Sequence, residues 1–225
     1  VSTETEASGP GLGAESDDGP ADLQAAAAAS FRAAATSWAF VYPRGWWTVP
    51  LTDTAQIDGA VRKIVVGRLG RRDDRARARR EAREYLSQAA HGAAEEGGLS
   101  LAVFSMDVGD VAITGTMAVF TYQVTEGGRD ELIASITGST SGADVDKQKL
   151  DDGWVLRAVR QSEIERTDAE GNPMLPELRA DYWTERRGLD KILQVSFTTP
   201  FVPLREAMLE LFDAIVLSLH PVVRG

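Results

Sequence analysis

Residues 191–221, KILQVSFTTPFVPLREAMLELFDAIVLSLHP, decide the fold. Lys191–Thr199 is rich in β-branched and aromatic side chains and stops at Pro200, so it reads as a strand. Beyond it, Leu204, Met208, Leu211, Phe212, Ile215 and Leu219 recur at helical spacing and make one apolar stripe, with Glu206, Glu210 and Asp213 off it. Pro203 suits the first turn of that helix and Pro221 ends it. Burying six such side chains at roughly 1.5–3 kcal/mol each makes the helix a main anchor of the fold.

Working upstream, the chain alternates extended runs with tight turns. Leu178–Glu185 is a strand that turns into Lys191–Thr199 at Arg187-Gly188, and DAEGNP at 168–173 is a turn. Trp154–Arg166 is a long strand, and Asp152-Gly153 marks a hairpin back to a weaker strand at Asp144–Leu150. RDELIASI, at 129–136, is a short helix or irregular turn. Leu99–Met106 and Val111–Thr125 are strands flanking a turn at Asp107–Asp110. Before them, Ala78, Ala82, Tyr85, Leu86, Ala89 and Ala93 share a stripe on a helix from about Asp73 to Ala94. Asp73 and Asp74 favour its start and Gly97-Gly98 end it.

Asp53 with Gln56 resembles a capping box, after which Ile57, Val61, Ile64 and Val65 form one helical face, although KIVVGRL also fits a strand. WWTVPL runs extended to Leu51. Trp38, Phe40 and Tyr42 alternate along a strand ending at Pro43. The sum is an α+β protein: an antiparallel sheet of about six to eight strands flanked by helices.

Residues 1–36 read as an acidic, disordered tail with a possible Ala-rich helix at 21–35, and 37–225 as a single sandwich domain. The net charge of −10 is uneven. Residues 1–31 hold six acids and no base, which leaves about −4 for the rest. Such a balance gives nucleic acid and anionic membranes no encouragement as partners. Cysteine is absent, which excludes disulfides, thiol nucleophiles and cysteine-containing metal sites. No apolar run approaches the ~20 residues of a transmembrane helix. The N-terminus lacks the basic start and apolar middle of a signal peptide, so the expected location is cytoplasmic, with an exported form open if a leader was removed. Arginine outnumbers lysine 20 to 4, a usage of GC-rich genomes.

Motifs that carry chemistry are scarce. His91 sits late in the long helix and His220 beside Pro221, and neither has ligand spacing or a triad context. Asp144, Asp146, Asp151 and Asp152 surround a hairpin, but the central Gly and terminal Glu of an EF-hand are missing. Solvated turn acids are the simpler reading there. No phosphate loop or serine elbow occurs, and no cofactor or metal site is expected. From Arg68 to Glu84 there are eight arginines against four acids, read as a solvated helix face or as a docking face for an acidic partner, the chain's own tail being one candidate. Trp46 and Trp47 are adjacent, as are Tyr182 and Trp183. On extended chain the members of each pair point to opposite sides, one into the core and one outward or toward a helix. These four are the candidate binding residues, because exposed Trp and Tyr favour interaction surfaces. Core packing of all four is the competing reading.

FVYPRGWWTVPL near the start, with DKILQVSFTTP running into PLREAMLELFDAIVLSLH, resembles the frame of the PsbP-like α/β/α sandwich superfamily. The chain is also similar to uncharacterised proteins of high-GC actinobacteria built on that frame. The resemblance spans about residues 37–221 and implies the sandwich fold. Known members are mostly non-enzymatic: photosystem assembly subunits, a Ran-binding factor, surface lipoproteins and chaperones for secreted effectors. It transfers no functional residue. The expected function is therefore a non-catalytic protein-binding or adaptor domain, an accessory factor or chaperone for a secreted or membrane-associated protein partner. The alternatives are a small carboxylate-dependent hydrolase or ligand-binding enzyme, and a structural subunit of a homo-oligomer.

Overall fold

The computed structural model describes residues 35–109, 111–123, 129–140, 142–162, 176–189 and 191–223. The chain divides into two compact units, Ala39–His220 and a smaller one of Val1–Trp38 with Pro221–Gly225. In a two-stranded sheet, β1 (Ala35–Ala39) pairs with β9 (His220–Val223). The strand expected to reach Pro43 thus ends at Ala39. Pro221, expected to end a helix, lies inside a short strand. The Ala-rich segment 21–34 and the turn at 168–173 lie outside the described residues.

The large unit is built on a seven-stranded antiparallel sheet of order β2-β3-β4-β8-β7-β6-β5. Its strands are β2 (Trp46–Pro50), β3 (Ser100–Val108), β4 (Val111–Gln123), β5 (Asp144–Leu150), β6 (Gly153–Ser162), β7 (Glu177–Arg186) and β8 (Lys191–Thr199). It consists of two meanders, β2-β3-β4 and β5-β6-β7-β8, joined where β4 pairs with β8. The β5–β6 hairpin closes one residue earlier than expected, with Leu150 opposite Gly153. Glycine is needed at 153 because a Cβ there would lie 1.8 Å from the Glu185 carbonyl oxygen.

Four helices are described: α1 (Thr54–Leu69), α2 (Ala76–Glu95), α3 (Arg129–Ser139) and α4 (Arg205–Leu217). Asp53 caps α1 by accepting from the Ala55 N–H, while Gln56 donates to the same carboxylate. Ile57, Val61, Ile64 and Val65 are all buried, which settles this segment as helix. Alternation then assigns the layers. Trp47, Val49, Leu101 and Val103 face α1 and α2. Leu156, Ala158, Trp183 and Ile192 face α3 on the same side of the sheet.

Trp46, Phe104, Phe197 and Tyr182 point the other way and meet Phe212 of α4 in a run of ring contacts, the closest being Phe197–Phe212 at 4.2 Å. Gly115 leaves room for the Phe104 ring, which a Cβ would meet at 2.5 Å. On α4 the buried residues are Met208, Leu209, Phe212, Ile215 and Val216. Of the expected stripe Met208, Phe212, Ile215 and Leu219 are buried, Leu204 precedes the helix and is exposed, and Leu209 and Val216 widen the buried face. Asp213, expected off the stripe, accepts from Tyr182 at 2.8 Å and from Arg157 at 2.7 Å. Helices on both faces of the sheet make an α/β sandwich of α+β class.

Candidate functional site

Among the described residues three openings lie on or beside the face shared by α1, α2 and α3, one of them a 670 Å³ hollow between α1 and β2 that Trp46 and Trp47 both line. Another is an apolar trough where the α1–α2 pair stands over β3 and β4. Its walls include Trp47, Ile64, Leu69, Leu86 and Val103, and its volume is 630 Å³. The opening follows from residue size. On α2 only Ala90 is fully buried, and Ala82 faces Ala112, Thr114 and Thr116 of β4, side chains too small to close the gap. Tyr85, assigned to the buried stripe from periodicity, is 65% exposed at the rim. Arg68 spans the mouth, stacked 5.0 Å from the Trp47 ring centroid and donating to Ser105 Oγ. The two helices are tied together by Asp58 of α1, which accepts from Ser87 and lies 3.5 Å from His91. Those hydrogen bonds, from Ser87 first and then His91, hold the Asp58 carboxyl below its ordinary pKa.

The third opening is a polar cleft between α2 and α3. Two adjoining hollows of 390 and 520 Å³ share Tyr122, Arg179 and Gln194. Asp181 is 1% exposed in its floor. It accepts from Ser196 at 2.5 Å, from Arg179 Nε at 2.9 Å and from Arg160 at 3.3 Å. The Tyr122 hydroxyl donates to Gln194 at 2.5 Å. Burial, reinforced by the charges of Asp181 and Glu96, raises the Tyr122 pKa. Burial opposes the charge on Arg179, but its bonds to Asp181 and the charges of Asp181, Glu177 and Glu96 outweigh this and raise its pKa.

The four aromatic candidates do not share one surface. Trp46 and Tyr182 meet through Phe197 in the α4-side core, and Tyr182 is 1% exposed. The Trp46 indole N–H is buried without an acceptor among the described residues. Trp183 is 6% exposed beneath α3, its edge reaching the polar cleft. Trp47 is the one that lines the apolar trough. Sequence reasoning passed over the cleft floor. Its signal was charge inside otherwise buried strands: in LRADYW, Arg179, Asp181 and Trp183 fall on one face.

Three of the four hairpin acids are in ion pairs, Asp144 with Arg205 at 3.1 Å, Asp146 with Arg157 at 3.8 Å and Asp152 with the buried Arg186 at 2.7 Å. No group of three or more His, Cys, Asp or Glu that would hold a metal occurs among the described residues. None of the described helices is long and apolar enough to cross a membrane. No family model matches the chain, and no curated protein matches it.

Proposed function

We propose that the chain is a non-catalytic protein-binding domain whose trough takes apolar side chains from an acidic segment of a partner protein. The observation that carries this reading is the trough itself: an open apolar wedge of 630 Å³ that the side chains of the described residues leave unfilled. An exposed Tyr85 and a half-buried Trp47 stand on its walls, and such amphipathic rings are what interfaces favour. Each Leu- or Phe-sized anchor seated there contributes about 1.5–3 kcal/mol. Charge complementarity supports an acidic partner. From Arg68 to Glu84, the stretch that carries the wall residue Ala82 and leads to Tyr85 and Leu86, eight arginines stand against four acids. That excess attracts acidic chains and speeds their encounter.

An accessory factor or chaperone for a secreted or membrane-associated partner is the role this chemistry fits, in keeping with the PsbP-like resemblance. A carboxylate-dependent hydrolase has less support, because the buried acid Asp181 is committed to two arginines and a serine.

The test is a random-peptide display selection against the full chain, repeated with Tyr85→Ser. Enrichment of peptides with paired apolar side chains flanked by Asp or Glu, lost with Tyr85→Ser, is the expected result. No enrichment, or enrichment indifferent to Tyr85→Ser, overturns the proposal.

A further inference from the structure

We infer that the polar cleft between α2 and α3 binds the carboxylate of a small organic monoanion, at a site other than the trough, which the cleft's adjoining hollow meets at Thr116 and Thr198. Arg160 and Arg179 are directly opposite each other on β6 and β7. Two like charges in that relation are destabilising on their own. The fold holds them with one enclosed carboxylate, Asp181, whose two oxygens are already occupied by Arg179, Arg160 and Ser196. Asp181 therefore serves to orient the guanidinium groups and is not itself open to a ligand.

What the cleft presents is donors. Arg179 bonds Asp181 through Nε and Nη2, and its Nη1 carries no acceptor among the described residues while the side chain is 46% exposed. Gln194 accepts the Tyr122 hydroxyl on Oε1, which leaves its Nε2 as a donor in the same floor. A guanidinium fixed in plane by a buried carboxylate matches the flat, two-oxygen geometry of a second carboxylate. Glu96 lines the adjoining hollow and Glu177 lies two residues before Arg179. These acids act against every anion and most strongly against polyanions, so a single negative charge on a compact body, seated on the Arg179 and Gln194 donors, is the most the cleft accepts.

The experiment follows arginine Nε and β7 backbone resonances of the full chain by NMR, titrating acetate, benzoate, inorganic phosphate and chloride at matched ionic strength. Acetate or benzoate should shift Arg179 Nε saturably where chloride does not, with phosphate weaker than the better monocarboxylate. Arg179→Lys should weaken that binding at least tenfold while the trough still binds its selected peptide. Ser135→Phe, on the exposed α3 wall, should block the cleft without touching the Asp181 cluster. Equal shifts with chloride, stronger binding of phosphate, no saturation by either monocarboxylate, or binding unaffected by both variants overturns the inference.

Discussion

The guanidinium of Arg68 lies 5.0 Å from the centroid of the Trp47 ring, and its Nη2 donates to Ser105 Oγ. One side chain thus links α1 to both β2 and β3 at the mouth of the trough. A cation over an indole at a partly exposed site contributes about 0.5–1 kcal/mol. Arg68→Ala should lower folding stability by that amount in urea denaturation. It should also weaken a selected acidic peptide severalfold, since it removes both the rim charge and the constraint on Trp47.

Small residues keep the trough open, so enlarging one should close it. Ala82→Leu places a good helix former on α2 and adds apolar surface facing Ala112 and Thr116. The expected outcome is stability unchanged or raised by up to about 1 kcal/mol, with peptide affinity reduced at least tenfold. Thermal unfolding and fluorescence titration on the same sample separate the two effects.

Three tyrosines make the fold sensitive to alkali, Tyr122 with its raised pKa among them. Burial raises Tyr42 to about 12, and burial together with the neighbouring Asp213 carboxylate raises Tyr182 as well. An unfolded tyrosine titrates at about 10, so the unfolded chain releases these protons first. The stability they contribute is full below about pH 10 and is lost as pH rises through the folded values. Denaturant midpoints should be flat on this account from neutral pH to about 10 and fall above it. Tyr182→Phe should flatten that fall, and at neutral pH should cost about 1 kcal/mol for the lost bond to Asp213.

Asp181 carries a structural prediction of its own. Replacing it with Asn keeps the volume but leaves Arg160 and Arg179 facing each other without their enclosed counter-charge. The arginines are partly solvated, so the cost is about 3 kcal/mol, toward the low end for a broken buried pair. Equilibrium denaturation of Asp181→Asn measures it.

How far these features were legible in the sequence depended on which force set them. The meanders were readable because turns are local: Arg187-Gly188 and Asp152-Gly153 announce reversals whatever lies elsewhere in the chain. Ile57, Val61, Ile64 and Val65 announced a helix by spacing alone, and the structure buries all four. Tyr85 misled because periodicity names a face and not its depth. Beneath it the small side chains of Ala112, Thr114 and Thr116 leave the trough open. The paired aromatics were correctly assigned to opposite faces, yet both faces of this sheet are layered with helices. Facing away from one core therefore sent Trp183 under α3, while Trp47 reached an opening. The cleft needed strand order to be seen. Tyr122 of β4, Gln194 of β8 and Arg160 of β6 adjoin only because β8 inserts between β4 and β7, a long-range pairing with no local mark.

The most direct test of the binding account is chemical-shift mapping of the full chain with a peptide recovered from the display selection. The account predicts perturbations concentrated on Trp47, Arg68, Tyr85, Leu86 and Val103, with the resonances of Arg179 and Gln194 unmoved. Saturable binding whose perturbations fall instead on the cleft floor or on β5, leaving Trp47 and Tyr85 unchanged, would contradict it.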